Sequence, residues 1–256
     1  MNNDATLQML RGALLALYSP DVPVSVRNEA DAFLQAFLFS RDCWSISLTL
    51  IRSSDAAFFE QLFAARALHQ RLRCSVIKSP GAQPAQASHQ VIAVEEWSAC
   101  REALIVLAMR YSNQPECRPI VTQLCMALAA LAAKMETWNC DTLVKDVGQA
   151  LGGSAQLALV EVLRMFPEEI ESSKLSVHPD RRMLVRVALQ ASTRSALDML
   201  DQVWRQAQAH NDGRLAIAVL QATTAWLDFA PRDLHPVVSQ VSFEALLILA
   251  APQGTE

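Results

Sequence analysis

Apolar residues recur at intervals of three and four along nearly the whole chain, the spacing of one helix face rather than the alternation of a strand. Leu7, Leu10, Leu14 and Leu17 form one such stripe and predict a helix over about 4–18. Ser19-Pro20-Asp21-Val22-Pro23 ends it, because proline lacks an amide hydrogen and restricts the residue before it. Ala30, Phe33, Leu34, Phe37 and Leu38 mark a second helix. Asp42 is placed to cap a short third one carrying Trp44, Ile46, Leu48 and Ile51. Ser54 or Asp55 opens a long fourth through Phe58, Leu62, Phe63, Leu68 and Leu72.

Residues 79–90, SPGAQPAQASHQ, carry no periodic apolar pattern and read as an inter-repeat loop. A helix over about 94–111 follows, and Pro115 and Pro119 bracket the next turn. Ile120, Leu124, Leu128, Leu131 and Met135 stripe a helix that ends before Trp138. A short helix over about 141–151 is broken by Gly152-Gly153. The helix of Leu159, Val162, Leu163 and Phe166 is expected to stop at Pro167. One long helix should then run from Pro179-Asp180 to about Ala209, where Asn211-Asp212-Gly213 supplies a turn. Helices over about 215–229 and 234–250 complete the pattern.

This is about twelve helices in six antiparallel pairs. Trp44, Trp138 and Trp226 recur at close to twice the ~40–47-residue period of HEAT-type repeats, and are expected to anchor the core. The predicted fold is all-α: a right-handed superhelical solenoid of about six HEAT-type helix pairs spanning residues 1–256. A bundle or globin-like packing would have to fit a dozen short-linked helices around one core.

Composition agrees. Of 256 residues 52% are hydrophobic, with only 7 Gly, which is ample apolar material for a packed body. The net charge of −4 argues against general nucleic-acid binding, which needs a clustered basic surface. The six cysteines form no C-x-x-C pair and suit a reducing compartment better than a disulfide framework or a zinc site. No signal-peptide pattern opens the chain, and no run is read as approaching the ~20 apolar residues of a bilayer span. No membrane insertion is expected.

Chemistry is not visible. Phosphate-binding loops, dinucleotide fingerprints and H-E-x-x-H pairs do not occur. Glu168, Glu169 and Glu171 read as a solvated acidic turn of the kind that favours helix N-termini. The expectation is therefore a non-enzyme with no catalytic or metal residues and no cofactor.

Surface remains. In a helix-pair stack the second helix of each pair lines the concave side, where partners bind. Polar residues at helical spacing on those helices are the candidate docking positions: Asp31, Gln35, Arg66, Gln70, Arg71, Gln123, Lys134 and Glu161, with Arg164 beside the last.

Several segments resemble the nuclear transport receptors of the importin-β superfamily, and among them the transportin-SR branch. They are ADAFLQAFLFSRDCW at 30–44, FAARALHQRL at 63–72, IVTQLCMALAALAAKMETW at 120–138, LVEVLRMFPEEIES at 159–172 and the Arg181-Arg182 pair. The resemblance implies the N-terminal portion of such a receptor, with a Ran-binding module over about 4–78 and further HEAT repeats over about 92–250. It also implies Ran-GTP, SR-rich protein cargo and nucleoporin FG repeats as partners. It further implies shuttling between cytoplasm and nucleus, and Arg71 at the position of a basic Ran contact. From the residues alone, a HEAT-type scaffold without nucleotide dependence stands beside that reading.

Overall fold

The computed structural model describes residues 3–74 and 96–230. Among them are eleven α-helices, and no strand occurs. They are α1 (Asn3–Tyr18), α2 (Val24–Leu38), α3 (Cys43–Arg52), α4 (Phe58–Cys74), α5 (Glu96–Ser112) and α6 (Arg118–Lys134). Then follow α7 (Leu143–Leu151), α8 (Gln156–Glu171), α9 (Pro179–Ala191), α10 (Thr193–Ala209) and α11 (Gly213–Phe229). The loop at 79–90, the start of the helix read from Val94 and the helix read over 234–250 lie outside the described residues.

The helices pair as α1 with α2, α3 with α4, α5 with α6, α7 with α8 and α10 with α11. The second members stack on one another, α4 on α6, α6 on α8 and α8 on α11, with α2 against α4. This inner row is the spine of an all-α HEAT-type solenoid. Its apolar stripes merge into one continuous core from Leu10 to Phe229. Trp138 and Trp226 are buried and Trp44 packs against the cluster.

α6 is enclosed by α4, α5 and α8 at once. The segment Pro115–Lys134 has the length and mean hydropathy of a bilayer span, contrary to the expectation that no run approaches one. Its small residues Ala127, Ala129, Ala130, Ala132 and Ala133 are buried against neighbouring helices, so its apolarity is that of a core helix.

Two boundaries differ from expectation. The long helix predicted from Pro179 to Ala209 is two helices, broken at Ser192. There the Ser192 hydroxyl donates to the Ala188 carbonyl at 2.9 Å and the Thr193 hydroxyl to the Gln190 carbonyl at 2.8 Å. Local side-chain bonds of this kind compete with the helical ladder. α9 is thereby set apart from the pairs and lies across the ends of α6 and α8. The second difference is that α8 does not stop at Pro167 but carries it inside, continuing to Glu171.

Among the described α-helix starts, side-chain cap bonds form at α9, from His178, and at α11, from Asp212, and are lacking at α2, α3, α6, α7, α8 and α10. Asn211, at φ 54°, takes the left-handed position after α10, and Asp212 accepts from the amides of Arg214 and Leu215 to begin α11. Asp42 precedes α3 but makes no side-chain cap bond; the Ser45 hydroxyl donates to its carbonyl instead. At α4 it is Glu60 that reaches back to accept from the Ala57 amide at 2.9 Å, while Asp55 turns to Arg11.

Candidate protein-docking face

The inner row brings the second helices of successive pairs side by side, so their solvent-facing residues form one surface. Asp31 and Gln35 on α2 and Arg66 on α4 are exposed there. Gln70 on α4 and Gln123 on α6 are half-buried, and the Gln70 amide donates to the Cys74 sulfur at 3.2 Å.

Arg71, Lys134 and Glu161 are placed differently: they are 6%, 1% and 1% exposed, and so do not form the open polar face expected of them. Arg71 is one residue, about 100° of helix, beyond Gln70 and so leaves the solvent face. Its charge lies near the Cys43 thiol of α3, and burial lowers its pKa. Lys134, the last residue of α6, donates from Nζ to the Arg73 carbonyl at 3.0 Å across the α4–α6 seam. Burial lowers its pKa to about 7, against the opposing pull of Cys74 and Glu169. Glu161 accepts from Arg118 at 3.3 Å and from Arg164 at 2.8 Å, an internal ion triad.

The acidic run, read from sequence as a solvated turn, is instead the last turn of α8. Glu169 is 2% exposed and takes His69 Nε2 at 3.2 Å and Arg73 Nη2 at 3.3 Å, joining α4 to α8. Glu168 and Glu171 face out, the latter pairing with Arg186 at 3.2 Å. Partial burial raises the Glu168 pKa, opposed by Arg164. With Gln221, Thr224 and Asp228 of α11 these residues border a groove of about 490 Å³ floored by Pro167, Ala225 and Phe229. Such an arrangement offers hydrogen-bond acceptors and apolar contact to a polypeptide. Among the described residues no set of His, Cys, Asp and Glu is arranged to hold a metal ion.

Residues 117–249, more than half of the chain, match the family model described as Exportin 1-like protein. The chain belongs to the Exportin 1-like family. It is also 25% identical over 253 residues to importin-13 of Homo sapiens, an alignment covering 95% of this chain and 24% of that protein. Transportin MOS14 of Arabidopsis thaliana is 25% identical over 224 residues, covering 85% of this chain and 21% of that protein. The Exportin 1-like chain thus spans about a quarter of the length of the curated relatives it matches. These similarities place it in the importin-β superfamily, whose named relatives here are an importin and a transportin.

Several side chains that shape this face carried no periodic signal. His69, Arg73 and Glu169 meet only because α4 and α8 end at the same level, which no local pattern states. In the sequence Arg181 and Arg182 are marked only by the family resemblance; their targets are carbonyls at the ends of two other helices, α6 and α8.

Proposed function

We propose that this chain is the N-terminal part of a karyopherin-type nuclear transport receptor, and that its inner helix row binds Ran-GTP. The observation that carries the reading is the unbroken row α2, α4, α6, α8 and α11, with exposed polar side chains at its solvent face. The likeness to importin-13 and to a transportin over most of the chain supports the same reading. The module over about 4–78 supplies Asp31, Gln35, Arg66 and Gln70 as Ran contacts, and Gln123 extends the surface onto α6. Arg71, Lys134 and Glu161 hold the scaffold beneath it.

The mechanism is conformational. Ran-GTP on the inner row stabilises one curvature of the stack, and protein cargo, SR-rich splicing factors in the transportin-SR reading, is held by another. Small rotations between repeats accumulate along a one-dimensional stack, so a local contact is felt at a distance. The coupling is reciprocal: bound cargo weakens Ran-GTP by the factor with which Ran-GTP weakens cargo. Such a receptor passes between cytoplasm and nucleus through FG-repeat nucleoporins.

The test is a pull-down of the purified, folded chain with Ran-GTP and with Ran-GDP. Retention of the GTP form alone is expected. Equal retention of both forms, or of neither, overturns the reading and leaves a nucleotide-independent scaffold.

A further inference from the structure

We propose that Arg181 and Arg182 act together as a staple, holding the C-terminal ends of α6 and α8 at one fixed spacing and so setting the bend of the inner row. The two residues are adjacent in the first turns of α9, which starts at Pro179 behind the cap His178. Arg181 donates to four carbonyls at and beyond the end of α6: Ala133 at 3.2 Å, Ala132 at 3.4 Å, Met135 at 2.8 Å and Trp138 at 3.5 Å. Arg182 donates to Ile170 at 2.5 Å, Ser172 at 2.9 Å and Leu175 at 2.6 Å, around the end of α8. A helix C-terminus has carbonyls without helical partners and a negative dipole end, and a guanidinium answers both.

Two independent caps would satisfy the same carbonyls. What distinguishes these is their shared backbone: consecutive residues on one helical turn grip two different helices. Moving α6 relative to α8 must then break one set of bonds or distort α9. The strand of chain leading into α9 adds α4 to the joint, because the Ser176 amide donates to the Arg73 carbonyl at 3.0 Å. Lys134 donates to that same carbonyl from the end of α6. The ends of three successive inner helices are thus tied at one point, so their relative angles are set together.

The experiment compares wild type with Arg181→Gln, Arg182→Gln, the double variant and Arg194→Gln, an exposed arginine of α10, as control. The readouts are amide exchange at the last turns of α6 and α8 and small-angle scattering of the full chain. Each single variant is expected to speed exchange at both helix ends, by about tenfold, while amides in the middle turns of α6 and α8 stay protected. The scattering curve of the double variant is expected to shift away from that of wild type, and Arg194→Gln to match wild type throughout. Should each single variant loosen only the helix end it touches, with wild-type scattering in the double variant, the arginines are separate caps and the staple is wrong. If the double variant does not fold, the spread of exchange in the two singles decides the matter alone.

Discussion

Trp226 donates its indole N–H to the carbonyl of Leu163 at 2.9 Å, and that carbonyl is the one Pro167 leaves without a helical partner. A proline inside a helix has no amide hydrogen for the residue four before it, and its ring pushes that carbonyl aside. The carbonyl is buried, so leaving it unpaired would be costly. Trp226 is 0% exposed and comes from α11, the next helix of the inner row. The break that Pro167 introduces in α8 is therefore closed by the following repeat, and the defect becomes a joint between repeats.

A double-mutant cycle tests this relationship. Trp226→Phe is expected to destabilise by about 1–3 kcal/mol in urea unfolding, through the stranded carbonyl and a small cavity. Pro167→Ala supplies the missing amide to Leu163. In that background Trp226→Phe should cost less, by about 1 kcal/mol, because only the cavity remains. The same cost in both backgrounds would show that the indole bond does not replace the helical one.

The same pair shows what could be read from sequence. The apolar stripe through Leu159, Val162, Leu163 and Phe166 marked α8, and Trp226 was expected to anchor the core. That α8 survives its proline was not legible, since the compensating donor lies 63 residues away. Stripes of apolar residues report burial locally, so all the described helices were foreseen except the division at Ser192. Exposed and buried polar residues look alike at that level: Arg66 and Arg71 share a helix, and only the packing of α4 against its neighbours decides that the second is buried. The candidate face was accordingly legible as a row of helices and only in part as a set of side chains.

Lys134 makes stability depend on pH. Its pKa falls on folding from the ordinary 10.5 to about 7, so between those values the unfolded chain binds more protons than the folded one. Stability from this group therefore rises with pH across that window, and below about pH 7 the full cost of burying the charge is present. Lys134→Met deletes the titration. The stability of the variant relative to wild type should be highest near pH 6.5 and decline towards pH 9, at up to ~1.4 kcal/mol per unit. Urea unfolding at four pH values checks it; a difference that does not vary with pH removes Lys134 as the cause.

Thiol reactivity should follow burial. The Cys43 pKa is pushed up to about 11, mainly by burial, with Ser47 and Arg71 acting the other way. Cys74, at the end of α4, is half-buried. Since the thiolate is the reactive form, iodoacetamide at pH 8 should modify Cys74 faster than Cys43 by about a hundredfold or more in the folded chain. The gap should close in denaturant. Peptide mass spectrometry over a labelling time course reads both sites, and comparable folded-state rates would mean that α3 opens readily against α4.

Binding and scaffolding are expected to separate at Arg66 and Glu161. Arg66 is exposed on the inner row, and reversing its charge should leave the unfolding midpoint in urea unchanged. In the Ran-binding reading, Arg66→Glu weakens the Ran-GTP complex by about tenfold or more, as for truncating a charged interfacial contact. Glu161 is buried between Arg118 and Arg164. Glu161→Gln should cost about 1–3 kcal/mol of stability, because it leaves Arg118 without its carboxylate and Arg164 with only the longer contact to Glu168 at 3.9 Å. At temperatures where that variant is folded, its Ran-GTP affinity should stay near wild type. Calorimetric titration alongside urea unfolding gives both quantities for each variant. If Glu161→Gln loses Ran-GTP binding while Arg66→Glu keeps it, the docking face lies along α6 and α8 and not on the first two pairs.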